Sequence, residues 1–294
     1  MGWAILSTIR GDDLMINAAH SDQETNFEMK IGFIGAGNMA QAIVKGLLGS
    51  YPAKHIVVSA PTDRNLAFFE QLGCRTSHDN NVIVTTCDVV FLCIKPAQCD
   101  IAFREVEWRQ RTSQLVISVM AGVSLERLYR LLGQGIRVIR CVPNTPMQVA
   151  KGVCCLSPGV GVPVEDTQLA IELLTPSCLI VYTVPESQLD AICALAGSGP
   201  AFICLVVEAL SDGGVAMGLP RELATELAAC TVEGAAAMIR GTGKHPAELK
   251  DAVCSPNGTT IAGIYALEKA GIRAGFMDAI EVATKRSKEF RNAK

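Results

Sequence analysis

The sequence predicts an α/β fold in two parts, a doubly wound and mostly parallel sheet followed by an all-α half. Three observations carry this reading. From residue 29 to about 185, short apolar runs alternate with helical patterns. Those runs are continuous in Val, Ile and Leu rather than alternating apolar with polar. Beyond residue 186 strand patterns cease and helical periodicity takes over. Strands separated by helices build βαβ units, and continuous apolar strands belong to sheets covered on both faces.

Taken in order, the runs at 30–34, 55–59, 88–94, 115–119, 136–141, 153–157 and 179–184 read as strands. Between them 39–48, 64–72 and 125–132 repeat apolar residues at helical spacing. In the second half 188–215, 221–239, 247–253, 260–269 and 273–290 read as helices. The domain division follows: 1–28 as a flexible extension, 29–185 as the sheet domain, 186–294 as the helical domain. Residues 201–210 and 227–239 are apolar nearly all round, so both helices must be buried. A helical half of this size has little interior in which to hide them, which predicts that a second subunit covers them.

Composition narrows the function. The 294 residues are 49% hydrophobic and 19% charged, with a net charge of −3 and a pI near 5.9. A mildly acidic chain has no electrostatic footprint for nucleic acid and no reason to seek an anionic membrane surface. No apolar run reads as long enough to cross a bilayer. The twelve cysteines include no C-x-x-C pair, and most sit inside apolar runs. They read as small hydrophobes in a reducing, cytoplasmic setting, with no metal site.

The residues that carry chemistry begin at Gly32-Phe33-Ile34-Gly35-Ala36-Gly37-Asn38-Met39-Ala40. A strand, a glycine turn and a helix start follow one another in the spacing G-x-G-x-x-A. The glycines allow the turn and the close approach of a pyrophosphate, and Ala40 lets the helix pack on the strand. Free N–H groups at the helix start then bind phosphate. This is the dinucleotide-binding arrangement of a Rossmann domain. The second strand ends in Ser59-Ala60-Pro61-Thr62-Asp63-Arg64 without a closing acid. Ser59, Thr62 and Arg64 offer donors for a 2′-phosphate, which favours NADPH; Asp63 keeps NADH as the alternative. Other strand ends shape the same crevice, namely Lys95-Pro96, Met120-Ala121-Gly122 and Pro143-Asn144-Thr145-Pro146.

In the helical half, Ser255-Pro256-Asn257-Gly258-Thr259-Thr260 runs a turn into a helix. One reading is a capped helix start; the other is a carboxylate site made of N–H groups and hydroxyls. Ala196-Gly197-Ser198-Gly199-Pro200 interrupts a long helix and reads as a packing kink. None of the four histidines, His20, His55, His78 and His245, neighbours a nucleophile. The absence of a catalytic dyad suits a reaction whose chemistry a cofactor supplies.

Over residues 29–290 the chain resembles the pyrroline-5-carboxylate reductases. The resemblance rests on the glycine turn, Lys95-Pro96, Ala121-Gly122-Val123, Pro143-Asn144-Thr145-Pro146, Gly197-Ser198-Gly199-Pro200-Ala201, Met217-Gly218-Leu219-Pro220, His245-Pro246 and above all residues 249–260. It implies a Rossmann domain with a helical dimerisation domain, and homodimers that assemble into decamers. The implied reaction is reduction of 1-pyrroline-5-carboxylate to L-proline by NADPH or NADH, the last step of proline biosynthesis. It places cofactor contacts on Gly35, Ala36, Gly37, Asn38, Met39, Ser59, Ala60, Asn80, Cys93, Ile94, Lys95, Pro96, Val119, Met120 and Ala121. Arg64 joins them from the strand-end reading. Substrate contacts fall on Ser255, Asn257, Gly258, Thr259 and Thr260, with Thr260 on the ring nitrogen. Asn257 stands where the family has glycine, and Ala196 where it has serine. Two rivals stay open. One is a reductase of another cyclic imine or a small 3-hydroxy acid. The other is a catalytically weak NADP-binding regulator.

Overall fold

The computed structural model describes residues 29–104, 106–108, 114–133 and 135–292. Residues 1–28, set apart above as an extension, lie outside the described residues. Eight strands form one sheet: β1 (Ile31–Ile34), β2 (Ile56–Ser59), β3 (Arg75–Ser77), β4 (Val89–Leu92), β5 (Leu115–Ser118), β6 (Arg137–Pro143), β7 (Gly152–Pro158) and β8 (Cys178–Thr183). Their order is β3-β2-β1-β4-β5-β6-β7-β8. Neighbours from β3 to β6 pair in parallel. The order reverses between β1 and β4, so the crevice beyond their carboxyl ends is the topological switch point.

Helices α1 (Asn38–Leu47), α2 (Leu66–Gln71), α3 (Asn80–Thr86), α4 (Cys99–Phe103), α5 (Leu125–Leu132) and α6 (Val164–Leu174) connect the strands. The sheet's side chains divide between two apolar clusters. One holds Ile31, Phe33, Ile43 and Phe69, the other Ile34, Val90, Leu92 and Val116. Alternate residues of β1 therefore enter opposite clusters, as the period of two requires. Phe33 and Phe91 stack with ring centroids 4.8 Å apart.

Some elements were missed by periodicity. Strand β3 is three polar residues at the sheet edge and has no apolar run to announce it. Helix α3 is rich in β-branched residues, but the Asp79 side chain accepts from the Asn81 N–H and caps its start. Strand β7 pairs antiparallel with β6. Only residues 144–151 link the two, too few for the crossover of a dozen or more residues that a parallel pair needs.

Contacts divide the chain into two units: everything up to Gly197 together with residues from Arg286 onward, and Ser198–Lys285. At the end of the first unit, α7 (Leu189–Ile192) runs into a π turn at Cys193–Gly197. The long helix expected over 188–215 is thus broken. The cause is legible: Pro200 has no N–H for the Ala196 carbonyl, and the Asn144 amide donates to it instead at 3.0 Å. Arg140 on β6 is buried and pairs with Glu186 at 2.9 Å and Asp190 at 3.8 Å. The Ser287 hydroxyl donates to Asp190, which fastens the last helix to this unit.

The second unit holds α8 (Gly199–Ala216), α9 (Arg221–Thr242), α10 (Pro246–Val253), α11 (Thr259–Lys269) and most of α12 (Ile272–Asn292). Arg221 ties α9 to α8 through Ser211 and Asp212. Its buried apolar side chains are Ala224, Ala228 and Leu249, while Leu205, Leu210, Leu227, Tyr265 and Met277 are exposed. One stretch, Glu186–Ala216, is long and apolar enough to cross a membrane by length and composition. This corrects the reading that no run reaches that length, although the π turn interrupts it.

Candidate active site

The expected cofactor residues converge on one edge of the first unit. The parallel ladders continue one residue past the strand ends: Gly35 N–H donates to Ser59 O, Ala60 to Ser77 O, Cys93 to Ile34 O and Val119 to Leu92 O. The segments 35–39, 59–60, 93–96 and 119–121 therefore begin side by side at the carboxyl ends of β1, β2, β4 and β5.

The glycine turn has the form of a phosphate cradle. Gly35 has φ +105, and a Cβ there would lie 2.6 Å from the Cys93 carbonyl oxygen. Only glycine fits. Above Gly37, the residue preceding α1, a Cβ would meet nothing within 4 Å. That leaves open space on the side from which a ligand reaches the backbone. No side chain caps α1, so its first N–H groups, on Asn38, Met39 and Ala40, remain available to phosphate oxygens. These features fit a dinucleotide.

Other positions act differently from their sequence reading. Ser59 is fully buried, and its hydroxyl donates to Asn80 Oδ1 at 2.7 Å, with Phe33 O at 3.3 Å. It is therefore not a side-chain donor for a 2′-phosphate. It orients Asn80 instead, whose amide donates to Ala102 O at 2.9 Å. Met120 is buried against the Cys99 thiol, 3.3 Å from its sulfur. Burial pushes the Cys93 thiol far above its ordinary range. Lys95 and Arg64 are exposed. None of the twelve cysteines, all among the described residues, forms a disulfide. Among the described residues no group of His, Cys, Asp and Glu side chains is placed to hold a metal ion.

Sequence reasoning passed over His78. It follows β3 and meets the loop after β2: Nδ1 lies 2.9 Å from Ala60 O and Nε2 lies 3.0 Å from Asp63 Oδ1. Nothing in its local sequence signals this, because the loop it meets lies fifteen or more residues earlier.

In the second unit the 255–258 turn closes with Gly258 N–H donating to Ser255 O at 3.1 Å. Asn257 takes φ +56, a left-handed conformation that asparagine tolerates better than most residues. The turn therefore forms with Asn257 in place. A Cβ on Gly258 would lie 2.3 Å from Ser255 Oγ. Gly258 is the N-cap of α11, and no side chain caps the helix. The capped-helix reading is thus corrected. The N–H groups of Thr259, Thr260 and Ile261 point out of the helix start uncapped, as an anion site requires.

Comparison with known proteins gives two family matches. Residues 186–290 match the model described as pyrroline-5-carboxylate reductase dimerisation. Residues 30–122 match that of the coenzyme F420-dependent NADP oxidoreductases. The chain is 43% identical over 262 residues to pyrroline-5-carboxylate reductase 3 of Rattus norvegicus, covering 88% of this chain and 95% of that one. It is 42% identical over 263 residues to pyrroline-5-carboxylate reductase of Arabidopsis thaliana, at 88% and 95% coverage. Among solved structures, a pyrroline-5-carboxylate reductase from Coxiella burnetii superposes with a TM-score of 0.83 at 36% identity, covering 90% of this chain and all of that one. The Plasmodium falciparum pyrroline carboxylate reductase with NADP bound gives 0.82 at 27% identity, covering 90% and 98%.

Proposed function

We infer from its place in the pyrroline-5-carboxylate reductase family, to which this chain belongs, that it reduces 1-pyrroline-5-carboxylate to L-proline. A reduced nicotinamide dinucleotide supplies the hydride to the imine carbon, and a proton completes the amine. The observation that carries this reading is the uncapped start of α11 behind the 255–258 turn. It is a local anion site on an acidic chain, suited to the substrate's carboxylate.

Each group then has a role. The turn from Gly35 to Met39 binds the pyrophosphate through backbone N–H groups. Ser59 and Asn80 hold the β2 end in place beside it. Ala60 and Arg64 lie toward the adenosine ribose. Cys93, Ile94, Lys95 and Pro96, with Val119, Met120 and Ala121, line the path toward the nicotinamide. Ser255, Asn257, Gly258 and Thr259 hold the carboxylate, and the Thr260 hydroxyl orients the ring nitrogen. Alignment of the reacting atoms supplies most of the rate.

NADPH is the preferred cofactor in this reading, because no acid closes β2. The domain boundary lies near 185, where the dimerisation-family match begins, while the contact units divide after Gly197; the enzyme works as a homodimer, the decamer being a further step. The exposed apolar side chains of α8 and α9 support the homodimer. Twelve cysteines without a disulfide support a reducing, cytoplasmic setting. The test is consumption of NADPH and NADH with 1-pyrroline-5-carboxylate, beside the Thr260→Ala variant. Turnover that collapses in the variant supports reaction and site together. Tight NADPH binding without turnover of this imine supports the regulator reading instead.

A further inference from the structure

We propose that His78 sets the preference for a 2′-phosphorylated over an unphosphorylated dinucleotide, with Asp63 as the internal anion that the phosphate displaces. This rests on the first unit binding a dinucleotide as inferred above.

In a doubly wound sheet the adenosine ribose lies at the end of the second strand, and here that end is built from Ala60, Asp63 and Arg64 on one side and His78 on the other. The Ala60 carbonyl can only accept a hydrogen bond, so His78 Nδ1, at 2.9 Å, carries a proton. An ionised Asp63 can also only accept, and it lies 3.0 Å from Nε2. The two acceptors together favour a ring protonated at both nitrogens, an imidazolium. The Ala60 contact, then Asp63 and Glu70, hold its pKa above the ordinary histidine value. Those two carboxylates, from the loop and from α2, are the charged groups that face the ring.

The pair is accessible. The His78 and Asp63 side chains are 58% and 91% exposed, so nothing bars a phosphate from the ring. A dianionic phosphate offers more charge and more acceptor oxygens than one carboxylate, and Asp63 can swing out into water. With an unphosphorylated ribose no rival anion arrives, and Asp63 stays on the ring, free to accept from the ribose hydroxyls. One loop thereby serves both cofactors and favours the phosphorylated one while His78 is charged. The sign follows: preference is full below the His78 pKa and declines as pH rises through it. The phosphate itself only gains negative charge as pH rises, so a decline belongs to the protein.

The experiment measures the dissociation constants of NADPH and NADH by direct binding to the full chain between about pH 6 and 9, without substrate. His78→Asn keeps a donor for Ala60 O and removes the charge. It should weaken NADPH roughly threefold to tenfold at the acid end of this range, leave NADH within about twofold, and abolish the pH slope. His78→Lys should keep the preference and hold it to the top of the range. Asp63→Asn should tighten NADPH. An unchanged ratio and slope in His78→Asn, or equal weakening of both cofactors, would overturn the proposal, the latter marking a merely structural role. Binding with this pattern but no reduction of 1-pyrroline-5-carboxylate would sink the proposed reaction and uphold His78. No binding of either dinucleotide would sink both.

Discussion

In the proposed reaction, Thr260 is the residue on which the chemistry turns. It lies at the start of α11, partly exposed, next to N–H groups that no side chain caps. Thr260→Ala should lower kcat by about a hundredfold, the usual cost of one lost donor at a reacting centre, and leave the dissociation constant for NADPH unchanged. An equal loss in both would mean that Thr260 supports the fold rather than the reaction. Gly35 is constrained by sterics instead. Gly35→Ala combines φ +105 with a carbonyl oxygen at 2.6 Å, so it should cost about 1–3 kcal/mol of stability and weaken both dinucleotides. Calorimetry beside cofactor titration separates the two effects. A variant that melts and binds like the parent would show the turn to be more plastic than its geometry implies.

At the scale of elements, Asn144 joins three pieces. Its Nδ2 donates to the Ala196 carbonyl of the π turn, and its Oδ1 accepts from the Val153 N–H of β7 at 2.8 Å. Both backbone groups depend on it. Asn144→Ala should therefore destabilise the first unit by about 1–2 kcal/mol, the cost of stranding partly buried polar groups. Arg140 is a second joint. Arg140→Met would leave Glu186 and Asp190 without their cation, at a cost of about 3–5 kcal/mol. Denaturant melts of the two variants rank these joints. If Arg140→Met were neutral, the buried pair would be specifying geometry rather than adding stability.

At the scale of the molecule, the second unit leaves Leu205 and Leu227 exposed on α8 and α9. Large apolar surface of this kind marks an interface. Leu205→Glu with Leu227→Glu should yield a monomer by sedimentation that still binds NADPH, because the glycine turn belongs to the first unit. Reduction of the imine should be lost. A fully active monomer would show that each copy carries a whole site, and an unchanged oligomer would place the interface elsewhere.

Much of the molecule was legible in the sequence because local pattern suffices for it. Continuous apolar runs give buried parallel strands, the glycine spacing gives a phosphate turn, and an asparagine at position 257 gives a residue that tolerates left-handed backbone. Where the determinant lies far along the chain, sequence was silent. The reversal of β7 needs its pairing with β6 as well as the short 144–151 link, and the link alone does not name the partner strand. The π turn depends on Asn144, 52 residues before the carbonyl it serves. The Ser59 hydroxyl, read as a ligand donor, is claimed by Asn80, 21 residues on. His78 finds Asp63 and Ala60 only because β2 and β3 lie side by side. The sequence by itself determined the strands with continuous apolar runs and the glycine turn, since these depend on neighbours in the chain. The tertiary structure alone decided which polar groups are already satisfied and which remain for a ligand, since that depends on neighbours in space.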